Sequence, residues 1–188
     1  AVYGHGHNES LIGHFISQRR SEFFLASKCG FGQQPDSQPS INGRPEYIKA
    51  TCEASLKRLQ TDHIDLYYLH RRDMNVPLED SIGALADLCQ EGKIGAVGVS
   101  EISAADLNKA HAEHPISAIQ SEYSLWTRNV EIEVLEASQK IGAAFVAFSP
   151  LARGFLTNKL HDTSQLVEHD LRHTMPRFNA QHYPANLA

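Results

Sequence analysis

Short apolar runs alternate along this chain with stretches whose apolar residues recur at helical spacing. The clearest run is Ile64 to His70 (IDLYYLH), bounded by Thr61-Asp62 before it and Arg71-Arg72-Asp73 after it. Its length and its aromatic and β-branched content predict a strand buried on both faces. Phe23 to Ser27 (closed by Lys28), Ile94 to Ser100, Ser117 to Gln120 and Ala143 to Phe148 are further strand candidates. Helices are predicted between them. Leu11, Ile12, Phe15 and Ile16 lie on one face at helical spacing. Pro45 suits a first helical position, and Tyr47, Ile48, Thr51, Ala54, Ser55 and Leu59 recur on one side of a helix ending near Leu59. Pro77 starts another, with Leu78, Ile82, Leu85 and Leu88 as its buried stripe and Gly92 as its C-terminal cap. Ser103 to Asp106 resembles a capping box with Asp in place of Glu. Val130, Val134, Leu135 and residues 137–140 form a last helix, stopped by Gly142. Residues 1–4 read as the end of a strand or the turn after it. Gly30 to Gly43 and the polar, histidine-dotted tail from Asn158 read as loops.

Strand thus alternates with helix, through mostly short connections, which predicts parallel β/α units. A doubly wound sheet and a (β/α)8 barrel both satisfy that periodicity. The strand ends favour the barrel. Lys28, His70, Ser100, Gln120 with Glu122, and Ser149 each fall at or just past the C-terminal end of a different strand, and in a barrel those ends ring one mouth. No glycine-rich dinucleotide fingerprint follows a first strand. The expected fold is therefore α/β, a (β/α)8 TIM barrel. Such barrels usually take about 250 residues. The 188 residues here are expected to form a single partial domain, incomplete at both ends, with strands 2 to 7 of 8 present.

Composition narrows the function classes. The net charge of -5 argues against a nucleic-acid partner or an anionic membrane surface, because either calls for a basic patch. Three scattered cysteines fit reduced thiols in a cytoplasmic protein better than a disulfide framework. No apolar run has the length of a membrane span. His5 and His7 make two ligands without a cluster around them, so no metal is expected.

Tyr3, Lys28 and His70 form a candidate proton-transfer group. An ammonium near a phenol favours the phenolate, which makes tyrosine a better acid toward a developing alkoxide. An imidazole beside them can donate to the carbonyl oxygen and orient it. These residues sit within an ordered series of motifs: Tyr3-Gly4-His5-Gly6-His7-Asn8-Glu9, Ala26-Ser27-Lys28, Ser55 to Leu59 (SLKRL), Asp65 to His70 (DLYYLH), Glu91 to Ile94 (EGKI), Gly98 to Glu101 (GVSE), Gln120 to Trp126 (QSEYSLW) and Phe148 to Gly154 (FSPLARG). Together the series resembles the aldo-keto reductase superfamily. The likeness is greatest to the branch with pyridoxal reductases, auxin-induced-type reductases and potassium-channel β subunits.

That resemblance implies NADPH-dependent reduction of a small aldehyde or ketone to an alcohol by hydride transfer. Tyr3 would be the general acid, Lys28 the partner that makes it acidic, and His70 the residue that orients the carbonyl. Ser100 and Gln120 would hold the nicotinamide carboxamide, with Glu101 beside them. Phe148 would stack on the nicotinamide ring, and Ser149, Leu151, Arg153 and Gly154 would follow the pyrophosphate. The family also has an aspartate upstream of the tyrosine, a last strand, and a segment that grips the adenosine 2′-phosphate. None of these is in this sequence. A non-catalytic, cofactor-binding regulatory subunit and an inactive fragment of a larger reductase stand as alternatives, and a homo-oligomer stays open. Trp126 and Tyr123 suit either a substrate pocket or aromatic packing, and Arg177-Phe178 is a candidate substrate contact.

Overall fold

Pro45 starts a helix as its first residue, where its fixed backbone angle and missing N–H cost nothing, Pro77 stands just before the first residue of another, and Ser103 caps a third. The computed structural model describes residues 3–32 and 40–187. A 3-10 turn, Tyr3–Gly6, leads into α1 (His7–Ile16). There follow β1 (Ala26–Cys29), β2 (Phe31–Gly32), β3 (Ser40–Ile41), α2 (Pro45–Leu59), β4 (Leu66–Leu69), α3 (Leu78–Gln90) and β5 (Val97–Ser100). The chain continues through α4 (Ala104–Glu113), β6 (Ile116–Glu122), α5 (Val134–Lys140) and β7 (Ala144–Phe148) to α6 (Tyr183–Leu187). The Ser103 hydroxyl accepts a hydrogen bond from the Asp106 N–H at 3.1 Å, as the capping pattern predicts.

The main sheet has the order β1-β4-β5-β6-β7, so chain neighbours are sheet neighbours once the β2–β3 hairpin is set aside. The pairings β1–β4, β4–β5 and β5–β6 are parallel. This is the α/β architecture predicted for successive β/α units. β4 alternates as a strand covered on both faces must: Tyr67 and Leu69 join the large core with the helices, while Leu66 and Tyr68 pack with Ala118 in a separate cluster. Ile48, Ile82, Leu85, Leu88 and Leu107 are completely buried in the large core. Each such side chain contributes roughly 1.5–3 kcal/mol relative to leaving it in water. The chain divides into two compact units, one of Ala1–Ser121 with Val130–Val146, the other of Glu122–Asn129 with Ala147–Ala188.

Four expectations are revised or bounded. The first main strand begins at Ala26 rather than Phe23, because the Leu25 N–H is taken by the Asp65 carboxylate at 2.7 Å and the ladder starts beyond it. Phe24 is exposed. The buried residues of α1 are Glu9, Gly13 and Ile16, whereas Leu11 and Phe15 are exposed. α1 lies so close to the end of α2 that a Cβ on Gly13 would be 2.4 Å from the Arg58 carbonyl oxygen, so Gly13 meets that helix while Ile12 and Ile16 of the predicted stripe pack into the core. The segment Gly30 to Gly43, expected as a loop without periodicity, carries the antiparallel β2–β3 pair. Its middle, residues 33–39, lies outside the described residues, as do residues 1–2, where the strand end was expected. The tail, finally, is not merely solvated: Leu160, Leu166, Phe178 and Tyr183 form a small core with Trp126, Phe155 and Met175.

Candidate active site

In the first unit, Tyr3, Lys28 and His70 line one cavity of about 150 Å³. Tyr3 is carried on the turn before α1, Lys28 is the third residue of β1, and His70 follows β4 directly. The β1–β4 register pairs Lys28 with Tyr68 and Cys29 with Leu69, so both side chains leave the sheet near one end. The Lys28 Nζ lies 5.3 Å from the Tyr3 ring centroid and 5.8 Å from that of Tyr68. The Tyr3 and His70 ring centroids are 6.3 Å apart. Tyr68 reaches this position because β5 offers Gly98 opposite it, where a Cβ would come within 2.5 Å of the ring. Among the described residues none of the three cavity side chains is engaged in a hydrogen bond or ion pair.

Burial, and then the charges of Arg71 and Lys28, lower the His70 pKa from the ordinary value to about 4. The imidazole is neutral around pH 7, with one N–H to donate and no proton to release as an acid. Phe31 meets it edge-on, with centroids 4.7 Å apart. Arg71 ties two strand ends together, its Nη1 donating to the His70 carbonyl at 2.6 Å and to the Ser100 hydroxyl at 3.2 Å.

Ser100 and Gln120 are register partners on β5 and β6, which sets a hydroxyl and an amide side by side. Glu101, in a left-handed conformation (φ 54°), donates its N–H to the Gln120 carbonyl at 3.0 Å. The second unit holds the remaining predicted residues. Phe148 ends β7, and Ser149, Arg153 and Gly154 all have positive φ (51°, 55° and 93°), so the segment after β7 winds tightly. Leu151 is exposed within it. The Arg153 guanidinium lies 5.9 Å from the Phe148 ring centroid and donates to Glu122 Oε1 at 2.7 Å. Arg177 approaches the same oxygen at 3.6 Å and donates to the Thr127 hydroxyl at 2.8 Å. Burial alone raises the Glu122 carboxyl, but Arg153, Thr127 and Arg177 outweigh it and hold the group below the usual carboxylate range. Trp126 stacks on Phe155 with centroids 3.8 Å apart, under the Arg177 cation.

Two features of the cavity were not singled out from the sequence. Glu9 lines it while buried, and Asn8 stands beside it. Both lie within the motif that holds Tyr3, and the spacing of Glu9 with Gly13 and Ile16 on one helical face was the available signal.

The fold is that of a β/α protein with polar side chains gathered at its strand ends, and comparison with known proteins places it. The model of the aldo/keto reductase family matches residues 1–188, and the chain belongs to that family. It is 40% identical over 191 residues to probable aldo-keto reductase 1 of Glycine max, covering 98% of this chain and 54% of that protein. It is also 40% identical over 188 residues to aldo-keto reductase str7 of Strobilurus tenacellus, covering 97% and 54%. Among solved structures, the glycerol dehydrogenase AKR11B4 from Gluconobacter oxydans superposes with a TM-score of 0.87 at 31% identity, covering 100% of this chain and 58% of that one. The holo form of aldo-keto reductase AKR11C1 from Bacillus halodurans gives 0.78 at 32% identity, covering 85% and 53%. The chain spans about half the length of the curated relatives it matches.

Proposed function

We propose that the polypeptide in which this chain occurs is an NADPH-dependent oxidoreductase that reduces small aldehydes or ketones to alcohols, with Tyr3 as the general acid. The observation that carries this reading is the convergence of Tyr3, Lys28 and His70 on one cavity. The substrate oxygen would lie against Tyr3 and His70. Neutral His70 donates a hydrogen bond to it and so fixes the carbonyl plane. As negative charge grows on that oxygen, Tyr3 passes it the phenolic proton, and the Lys28 ammonium stabilises the phenolate left behind.

The residues present suit a dinucleotide. The Ser100 hydroxyl and Gln120 amide offer a donor and acceptors for a carboxamide, Phe148 offers an aromatic face, and Arg153 offers a guanidinium for a phosphate. When bound, NADPH would supply the hydride. Ser149, Leu151 and Gly154 would border the pyrophosphate, and Glu101 would hold the Gln120 strand in place. We assign the protein to the cytoplasm, with a small carbonyl compound and no nucleic acid as its partner. Among the described residues no helix is long and apolar enough to cross a membrane.

The test is NADPH oxidation by the complete polypeptide in the presence of an aromatic aldehyde. Tyr3→Phe is expected to lower kcat by roughly 10²–10⁴-fold, the usual worth of a positioned general acid, with NADPH binding intact. Unchanged turnover in that variant would overturn the assignment of Tyr3.

A further inference from the structure

We propose that the ion pair of buried Glu9 with half-buried Arg58 is the positioning device for Tyr3 and Lys28, and that turnover depends on it; the inference rests on the reductase reading above. Glu9 is only 5% exposed, and a carboxylate so buried needs compensation. Arg58, from the last turn of α2, supplies it. Its Nε donates to Glu9 Oε2 at 2.7 Å, and its Nη2 lies 2.7 Å from the same oxygen. The second carboxylate oxygen accepts the Ser27 hydroxyl at 2.5 Å. Ser27 is the residue before Lys28 in β1, so Glu9 holds the strand at the point where the lysine leaves it.

The same guanidinium touches the other half of the group. A Cβ on Gly6 would meet Arg58 Cδ at 2.7 Å and Nε at 2.8 Å. Gly6 ends the turn that Tyr3 begins, and that turn passes through positive φ at Gly4, His5 and Gly6. The end of that turn lies directly against the arginine stem. Arg58 also donates to Ser55 at 3.2 Å, which anchors it within its own helix. One charge pair therefore joins three elements: the Tyr3 turn with α1, the Lys28 strand, and α2. Both Glu9 oxygens are committed, which suits a residue that places its neighbours rather than one that handles the proton.

The pair accounts for a choice in the sequence as well. A hydroxyl residue at position 27 is needed to donate this tether, and the SLKRL motif supplies the arginine that the proton-transfer chemistry itself does not use.

The complete polypeptide is assayed for kcat, for KM of an aromatic aldehyde, for NADPH binding and for its thermal midpoint. Ser27→Ala, which leaves the ion pair intact, is expected to lower kcat about 10-fold with KM and NADPH binding little changed, and Ser27→Thr to retain it. Glu9→Gln is expected to lower kcat on the order of 100-fold, the cost of misplacing reacting groups by about 1 Å. The double variant Glu9→Leu/Arg58→Met removes both charges of the pair. It should regain the thermal midpoint lost in Glu9→Gln while its kcat stays low, an outcome that a purely structural role does not produce. A normal kcat in Ser27→Ala, or a kcat that recovers with the midpoint in the double variant, overturns the inference. If Glu9→Gln fails to fold, Ser27→Ala still decides. Absence of NADPH oxidation in the unaltered polypeptide overturns the reductase reading and this inference with it, whereas wild-type turnover with unaffected variants overturns this inference alone.

Discussion

The cavity of the first unit and the segment after β7 in the second treat their polar groups in opposite ways. Around the cavity, Tyr3, Lys28 and His70 stand at ring distances of 5.3 to 6.3 Å with no hydrogen-bond or ion-pair partner among the described residues. In the second unit Glu122, Arg153, Arg177 and Thr127 are joined through one carboxylate oxygen. Groups that must change protonation or bonding during a reaction gain from being left uncommitted, because any bond made in the resting state has to be broken. A group that only holds a charged ligand can rest on a counter-ion and exchange it on binding. The supports of the cavity, in contrast to the three side chains proposed to react there, are fully bonded: Glu9, Arg58 and Ser27 leave no oxygen of that carboxylate idle.

Experiments that sharpen this contrast can be ranked by expected effect. The second unit depends on its aromatic cluster, in which Phe178 is 2% exposed and stacks on Tyr183. Phe178→Ala should cost about 3–5 kcal/mol of that cluster's stability. Hydrogen exchange would register it as lost protection across residues 147–187; unchanged protection there would refute the role of the cluster. Lys28→Met is expected next, with kcat down on the order of 100-fold and NADPH binding preserved, because it removes the charge that stabilises a phenolate. A rise in the NADPH Kd at constant kcat would place Lys28 in binding instead. Arg153→Met should do the reverse, weakening NADPH binding roughly 10-fold, as loss of one charge-assisted bond does, with kcat at saturation unchanged. Fluorescence titration at several salt concentrations measures it.

A separate effect is the pH dependence of stability from His70. Its pKa in the folded chain is about 4, below the ordinary value of 6.5, so the folded state binds fewer protons than the unfolded state between those values. Stability from this group is complete above pH 6.5 and is lost as pH falls toward 4. Thermal midpoints across that window should fall less steeply in His70→Gln than in the unaltered chain, and equal slopes would remove His70 as a cause.

Much of the architecture is legible in the order of residues alone. α2 spans Pro45–Leu59 as its proline and apolar stripe predict, and the buried stripe of α3 is Leu78, Ile82, Leu85 and Leu88 as expected. These elements are long, strongly periodic and begin at residues with one physical reason to be there. β1 is displaced from its expected start because a side chain elsewhere, Asp65, captures the amide that a strand would have used. The exposed Leu11 and Phe15 show that periodicity finds a helix without deciding which of its faces is covered.

The sequence by itself determined the alternation of strands and helices, the family, and the candidate residues at the strand ends, since each follows from local pattern or ordered motif. Only the tertiary structure decided that Tyr3, Lys28 and His70 share a cavity, because they lie on segments far apart in the chain that the β1–β4 register brings together. It also revealed Glu9 and Arg58 as a pair and the tail as a small core. Burial and charge pairing belong to the partner as much as to the residue, and the partner of Glu9 is 49 positions away.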